Sequence, residues 1–179
     1  MKLLEPTIGY DRQIQAYRKE FLDCGDSMDG TNDLRRFDSS EEWIEHVNEQ
    51  TNPLSLPQEQ APAAQYIFVR EEDRRIVGMI DVRYVFNDYS EKYGGNVGYS
   101  VAPGERRKGY ATQMLSMALP LFKERGFDKV LVTCIKGNEG SRKTIVQNGG
   151  VYESTVYEPD VEKAYVERYW IDLGCFCGR

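Results

Sequence analysis

The sequence predicts a mixed α/β fold in which helices flank a largely antiparallel sheet. Two hairpins account for the antiparallel part, because β-rich runs surround the polar segments 71–74 and 158–162. A third observation links the sheet to a helix: a strand ending near Ala102 continues through a Pro-Gly turn into a helical stretch. From the N-terminus, the predicted order is strand, two helices, three strands, helix, strand, helix and two strands.

The N-terminal part is predicted to contain a short strand and two helices. The first helix covers about residues 10–22. The second begins with the capping box formed by Ser39 and Glu42, and it continues to about Asn48. Residues 50–62 contain three prolines, which predicts a loop or a semi-extended connection.

The remaining elements follow from changes in the hydrophobic period. Predicted strands cover residues 66–69, 75–84, 96–102, 129–135, 151–157 and 164–172, and a helix covers about 139–147. The helix after the third of these strands is expected to end at Gly126, a favoured residue just beyond a helix C-terminus. Pro120 lies inside that helix and is expected to kink or break it, because proline removes one backbone hydrogen bond.

Length and composition predict one globular domain over residues 1–173, followed by a short tail at 174–179. A chain of 179 residues can bury a sizeable core but is short for two domains. Its content of 40% hydrophobic and 29% charged residues is typical of folded globular proteins rather than disordered ones.

Charge and hydropathy bear on partners and location. The net charge of −6 argues against a nucleic-acid or anionic-membrane partner, because both need broad positive potential. The sequence has no apolar run near the roughly 20 residues that span a bilayer, and its N-terminus lacks the sustained apolar segment of a secretory signal. We therefore expect a cytoplasmic protein.

The cysteines and the one histidine do not predict a metal site. The cysteines are scattered and none forms Cys-x-x-Cys, and the single histidine, His46, lies away from the apolar stripe of its helix. A zinc site would lack its usual ligands. We expect no metal and read the thiols as reduced.

The most informative motif is a basic, glycine-containing stretch between the strand that ends near Ala102 and the next helix. Its residues are Arg106, Arg107, Lys108, Gly109, Tyr110 and Ala111. A strand, a turn and a helix start aim unpaired backbone N–H groups at one point, and the helix dipole and the cations add positive potential. Glycine allows close ligand approach and unusual backbone angles. The motif predicts a phosphate site.

This stretch is similar to Arg/Gln-x-x-Gly-x-Gly/Ala, the pyrophosphate-binding signature of the GNAT superfamily of N-acetyltransferases. Arg106, Gly109 and Ala111 occupy the three defined positions, and the order of elements resembles that superfamily over nearly the whole chain. The resemblance implies a central sheet whose middle strands splay apart, with acetyl-CoA between them. It implies pyrophosphate on the backbone N–H groups from Arg106 through Thr112, a run that includes Arg107, Lys108 and Tyr110. It also implies pantetheine pairing with Ser100, Val101 and Ala102.

A second constellation, Asn138 and Ser141, stands at the start of the next predicted helix. In the superfamily the asparagine reaches the pantetheine arm, and the residue near Ser141 faces the thiol or the nucleotide. Local capping explains both residues equally well, because asparagine is a favoured N-cap and serine is common in a first turn. Both interpretations remain open from sequence.

The catalytic residues are less clearly indicated. Relatives often carry a glutamate early in the motif strand, where this chain has Gly-Gly-Asn at 94–96, and a tyrosine in the later helix, where it has Thr-Ile-Val at 144–146. We predict Asn96 as an orienting group and Tyr152 as a proton donor. Other candidates for acid–base work are Asp81, Asp88, Glu91 and Glu153.

The resulting prediction is an N-acetyltransferase that moves an acetyl group from acetyl-CoA to a primary amine by direct attack. The alternative is an acyl-CoA-binding sensor or scaffold without turnover. A nucleotide-phosphate enzyme is disfavoured because Gly-x-x-x-x-Gly-Lys-Ser/Thr is absent. Acceptor specificity is expected at residues 50–62 and 87–95, and the excess of carboxylates favours a cationic amine. A homodimer is compatible with the sequence, which does not determine the oligomeric state.

Overall fold

The structure is a computed structural model that describes residues 1–51 and 62–174. Within these ranges seven strands form one sheet in the order β1-β2-β3-β4-β5-β7-β6. The strands are β1 (Lys2–Leu4), β2 (Ala63–Arg70), β3 (Arg75–Arg83), β4 (Val97–Val101), β5 (Lys129–Ile135), β6 (Gly150–Glu158) and β7 (Ala164–Asp172). All neighbouring strands are antiparallel except β4 and β5, which are parallel.

Helices cover both faces of this sheet. They are α1 (Asp11–Cys24), α2 (Ser40–Gln50), α3 (Tyr110–Lys123) and α4 (Glu139–Gln147). Short 3-10 turns occur at Ile8–Tyr10, Leu34–Arg36 and Pro103–Glu105, and a π-helical turn occurs at Ser90–Gly94. None of the helices in the described ranges has the length and apolar character needed to cross a bilayer.

Alternation along the strands divides the core into two layers. Phe68 of β2 packs with the apolar faces of α3 and α4, whereas its neighbours Ile67 and Val69 pack with α1 and α2. Successive side chains of a strand point to opposite faces, so each face of the sheet buries its own pair of helices. The predicted mixed fold with a largely antiparallel sheet is confirmed.

The middle of the sheet is its irregular point, because β4 and β5 pair only at Val97 and Val132. Beyond this pair the two strands diverge, as the resemblance implied. Asn96 holds β4 and β5 together where they begin to diverge. Its backbone N–H donates to the Leu131 carbonyl at 2.7 Å, and its side-chain Oδ1 accepts from the Leu131 N–H at 2.8 Å. Its Nδ2 also donates to the Arg83 carbonyl at 2.9 Å, which ties β3 to the same point.

The helix boundaries follow the predicted local signals, except that α3 ends at Lys123, before the predicted end at Gly126. The Ser39 side chain accepts the Glu42 N–H at 3.3 Å, as expected for the N-cap of α2. Beyond α3, Gly126 has φ +81°, and the Phe127 N–H bonds the Phe122 carbonyl at 3.1 Å. Both features close their helix ends through side-chain or backbone hydrogen bonds.

Two regions differ from the expectation or lie outside it. Pro120 does not break α3, and it lies on the exposed side of that helix. The Ser116 carbonyl, which loses its helical hydrogen bond because proline has no N–H, is also on the exposed side, where water can bond it. Most of the proline-rich segment, residues 52–61, and the tail at 175–179 lie outside the described residues. The predicted loop and the tail cysteines are therefore not described.

We predict that Asn96→Ala lowers the free energy of unfolding by about 1–3 kcal/mol, because it leaves the buried Leu131 N–H and Arg83 carbonyl without their partner. Urea denaturation followed by circular dichroism measures the change. Asn48→Ala is the matched control, since Asn48 is exposed on α2. Equal stabilities of the two variants would contradict the role of Asn96.

Candidate functional site

A cavity of about 1170 Å³ opens where β4 and β5 diverge. One end of the cavity is formed by β4, β5 and the N-terminal turns of α3 and α4. The far end is lined by the loop between α1 and α2, by the segment before β4 and by Glu162 of the β6–β7 hairpin. A cavity of this size suits a small-molecule ligand.

The backbone at the start of α3 has the features of known anion-binding turns. Arg107 and Gly109 have φ angles of +66° and +82°, and α3 begins immediately afterwards at Tyr110. A Cβ on Gly109 would meet no atom within 4 Å, so the positive φ, rather than crowding, favours glycine there. The first N–H groups of α3 have no intrahelical partner and point outward, as in anion-binding nests.

The three cations of the motif are not equivalent. Lys108 Nζ donates to Glu105 Oε2 at 2.8 Å, and Arg106 Nη1 donates to Asp26 Oδ2 at 2.6 Å. Arg107 is exposed and has no hydrogen bond or ion pair with any described residue. Two of the three side chains predicted to surround a phosphate are therefore held by carboxylates of the chain, and Arg107 is the cation left for an anion.

Glu105, which sequence reasoning did not select, is the centre of a charged network. It is 6% exposed and accepts hydrogen bonds from Lys108 and from Arg70 Nη1 at 3.0 Å, and Arg75 Nε lies 3.1 Å from Oε1. Arg70 also donates to the Tyr110 hydroxyl at 3.2 Å. Lys108 and Arg70 hold the pKa of Glu105 below its ordinary value. The network fixes the turn before α3 and the first residue of the helix.

The strand edge that faces the cavity corrects one prediction. The Ala102 N–H bonds the Val77 carbonyl at 2.9 Å, and alternation places the backbone groups of Ser100 toward β3 as well. The backbone groups that face the cleft are therefore those of Tyr99 and Val101. Of the three predicted residues Ser100, Val101 and Ala102, only Val101 presents its backbone to the cleft, because the backbone of an antiparallel strand bonds alternately to each side.

Asn138 and Ser141 lie together at the start of α4. Asn138 Oδ1 accepts the Ser141 N–H at 3.1 Å, so the capping interpretation is satisfied. Ser141 Oγ lies 2.7 Å from the Tyr99 hydroxyl, which reaches it from β4. Burial raises the pKa of Tyr99, so its hydroxyl stays protonated. Both Asn138 and Ser141 line the cavity, with Tyr99 beside them.

The structure does not bring the two predicted catalytic residues to the cavity. Asn96 is 2% exposed, and both atoms of its side-chain amide already bond backbone groups of β3 and β5. Tyr152 is 54% exposed on β6, and its hydroxyl bonds Thr155 Oγ1 at 2.9 Å. Neither residue lines the cavity, so the orienting role of Asn96 and the proton-donor role of Tyr152 have no support from its geometry.

The far end of the cavity is lined by segment 87–95 and by a loop that sequence reasoning missed. Segment 87–95 contributes Tyr89 and Tyr93 among its five lining residues, and the loop at 25–33 contributes as many. Gly30 brings this loop onto the sheet: its φ is +70°, and a Cβ there would lie 2.3 Å from the Gly98 carbonyl oxygen. The glycine- and aspartate-rich composition of the loop was the available signal. His46 also lines this end, half-buried against Phe37 at 5.0 Å between ring centroids.

The two arginines at this end are paired within the protein, whereas Asp29 and Glu162 have no ion pair with any described residue. Arg36 lies 3.4 Å from Asp33, and Arg83 donates to Asp81 at 2.7 Å. Burial raises the pKa of Glu162, and the nearby charges of Asp29 and Glu158 raise it further. Within the described ranges, no cluster of three or more His, Cys, Asp or Glu side chains is arranged to hold a metal ion. A positively charged ligand would reduce the repulsion between Asp29 and Glu162.

Comparisons with known proteins agree with this architecture. The model of the acetyltransferase (GNAT) family matches residues 30–149. No curated protein sequence matches the chain.

Solved structures of three acetyltransferases resemble the fold. The ribosomal-protein-S5-alanine acetyltransferase from Vibrio fischeri is 15% identical with a TM-score of 0.69, covering 95% of this chain and 91% of its own. A variant of spermidine N-acetyltransferase from Vibrio cholerae is 15% identical with a TM-score of 0.65, covering 96% and 95%. The microcin C7 self-immunity acetyltransferase, solved with acetyl-CoA and AMP, is 14% identical with a TM-score of 0.66, covering 96% and 91%.

These identities show a common fold, and the family model covers the loop at 25–33 in part, β4, the anion-binding turn and α4. On the match over residues 30–149, the chain belongs to the GNAT family of acetyltransferases.

Proposed function

We propose that the protein transfers an acetyl group from acetyl-CoA to a primary amine by direct attack of the amine on the thioester. The observation that carries this proposal is the cleft between β4 and β5, which has an anion-binding helix start at one end. Acyl-CoA needs both features, because it joins a pyrophosphate to an extended arm that contains amides. The structurally similar microcin C7 self-immunity enzyme was solved with acetyl-CoA, which supports the same donor here.

The residues present fit this donor. The N–H groups from Arg107 to Thr112 and the Arg107 guanidinium would hold the pyrophosphate. The backbone groups of Tyr99 and the N–H of Val101 would pair with the amides of the arm, as an added strand pairs with a sheet edge. The Val101 carbonyl already accepts from Arg106 Nε at 3.2 Å. The thioester supplies the activated acetyl group when it is bound.

The reaction requires proton transfers that the chain must assist. An ammonium acceptor first loses one proton to become a neutral nucleophile. A C–N bond then forms as the C–S bond breaks, the nitrogen loses a second proton and the sulfur gains one. The hydroxyls of Tyr99 and Ser141 lie in the cleft, 2.7 Å apart, and can hold or pass a proton there. Glu162 and Asp29 line the end of the cavity where the acceptor would bind, and burial raises the pKa of Glu162, which makes its carboxylate a better proton acceptor than an ordinary glutamate.

The acceptor we propose is a cationic amine. Asp29 and Glu162 provide negative charge at the cavity end, while Tyr89 and Tyr93 offer ring faces there. Two similar enzymes act on spermidine and on the alanine of ribosomal protein S5, which are both amines. The homodimer that the sequence allows stays a prediction, as does the single domain.

A second candidate is an acyl-CoA-binding module without turnover. The observation that favours it is the lack of a glutamate at 94–96 and of a tyrosine at 144–146, because these positions supply acid–base groups in relatives. Binding measurements alone do not separate the two functions. Release of free CoA in the presence of an amine does.

Titration calorimetry with CoA, together with an assay of thiol release from acetyl-CoA, tests the proposed function. We expect CoA binding, and free CoA released faster with at least one of spermidine, an aminoglycoside, a lysine-containing peptide and a peptide with N-terminal alanine. N-acetylated peptides without a free amine are the control. Binding without amine-dependent release would favour the module, and no binding would contradict both functions.

We predict that Glu105→Gln weakens CoA binding about tenfold, because the anion-binding turn loses the carboxylate that anchors Arg70 and Lys108. The KM for acetyl-CoA should rise more than kcat falls. Asp73→Asn is the matched control, since Asp73 binds Arg70 at 2.7 Å but does not touch the turn. Equal CoA affinities of the two variants would contradict this role.

The same residue predicts a pH dependence. The folded-state pKa of Glu105 is lowered, so its contribution to stability is complete above the ordinary carboxyl pKa and is lost as the pH falls through the lowered value. The difference in free energy of unfolding between the wild type and Glu105→Gln should therefore shrink in acid. Urea denaturation at pH 7 and near pH 3 measures it, and a difference that does not depend on pH would contradict the assignment.

We predict that Glu162→Gln raises the KM for a cationic acceptor about fivefold and leaves the Kd for CoA within twofold, because it removes a carboxylate from the acceptor end only. Glu45→Gln is the matched control: it removes the same charge from an exposed site on α2 that does not line the cavity. If both variants raise the KM equally, net charge rather than Glu162 attracts the acceptor.

A further inference from the structure

The side chain of Arg106 points away from the anion-binding turn to which its backbone belongs. Its Nη1 donates to Asp26 Oδ2 at 2.6 Å, and its Nε donates to the Val101 carbonyl at 3.2 Å. Its guanidinium carbon lies 5.5 Å from the centre of the Phe21 ring on α1. Since α1 and α3 pack on opposite faces of the sheet, this guanidinium lies on the α1 side and not at the start of α3.

Asp26 lies near the start of the loop at 25–33, which lines the far end of the cavity, where the acceptor would bind. The middle of this loop is held independently: Ser100 Oγ donates to the Asp29 carbonyl at 2.5 Å, and Gly30 packs on Gly98. Arg35 holds the backbone carbonyl of Asp26. Among the described residues, the contact to Arg106 is the ion pair that joins this loop to the turn at 106–109 before α3, which we call the donor turn. The side chains of Asp26 and Arg106 are 41% and 42% exposed.

We propose that Arg106 is a positioning residue that tethers the acceptor loop to the donor turn, and that it leaves the phosphate to the backbone N–H groups and Arg107. This inference rests on the proposed function for the meaning of the two sites. The Arg106 guanidinium donates both to the Val101 carbonyl at the edge of β4 and to the Asp26 carboxylate of the loop, and so connects the two. Loss of either partner frees the loop end, and the first N–H groups of α3 are unaffected.

Hydrogen exchange of the free protein tests the tether without any ligand. In Arg106→Met and in Asp26→Asn, we expect the amides of residues 26–29 to exchange about fivefold faster than in the wild type. The double variant should show no further increase, because both changes remove the same contact. Arg106→Lys keeps a charge for Asp26 and should restore most of the protection. Additive effects of the two single variants would overturn the proposal.

CoA titration and steady-state kinetics separate the tether from a phosphate contact, with Arg107→Met as the matched control. Arg106→Met should leave the Kd for CoA within about twofold and raise the KM of the best amine of the panel about fivefold. Arg107→Met should weaken CoA binding about tenfold and leave the loop exchange unchanged. The proposal is overturned if Arg106→Met weakens CoA as strongly as Arg107→Met while the loop exchanges as in the wild type. If the wild type binds no CoA, the proposed function fails, whereas the exchange measurements still decide whether the tether exists.

Discussion

The divergence of β4 from β5 is the constraint on which the rest of the structure depends. Two parallel strands that pair at a single position leave backbone edges unpaired, and such edges need a ligand or water. The side chain of Asn96 makes this arrangement stable, because its amide bonds the backbone of both neighbouring strands where the ladder ends. The cavity opens at this point, and the start of α3 and the loop at 25–33 line it on either side.

Charge pairing is the second organising feature. A sequence with three adjacent cations suggests three phosphate ligands, but buried or half-buried carboxylates bind two of them within the protein. Glu105 stabilises the turn on one side and Asp26 joins it to the acceptor loop on the other. The anion site that we propose therefore depends mainly on backbone N–H groups, whose direction the fold determines, and less on flexible side chains.

Much of the fold was predictable because its signals are local. The capping box at Ser39, the glycine after α3 and the hairpin around 71–74 each act within a few residues. The candidate site was predictable only where a motif marks it. Tyr99, Glu105 and the loop at 25–33 were missed, since their role arises from contacts with residues far along the chain. Tyr152 was selected as a replacement for the tyrosine missing at 144–146, and it lies exposed on β6, away from the residues that line the cavity.

The sequence by itself determined the family, the mixed fold and the position of the turn for which we propose anion binding, because these depend on residue order, periodicity and one short motif. Only the tertiary structure decided which atoms face the cleft. The direction of a strand's backbone groups depends on its pairing register, and the partner of a charged side chain depends on which distant carboxylate the fold brings within reach. The pairing of β3 with β4 decides the direction of the Val101 backbone groups, and the packing of α1 and α3 around β4 decides that Arg106 reaches Asp26.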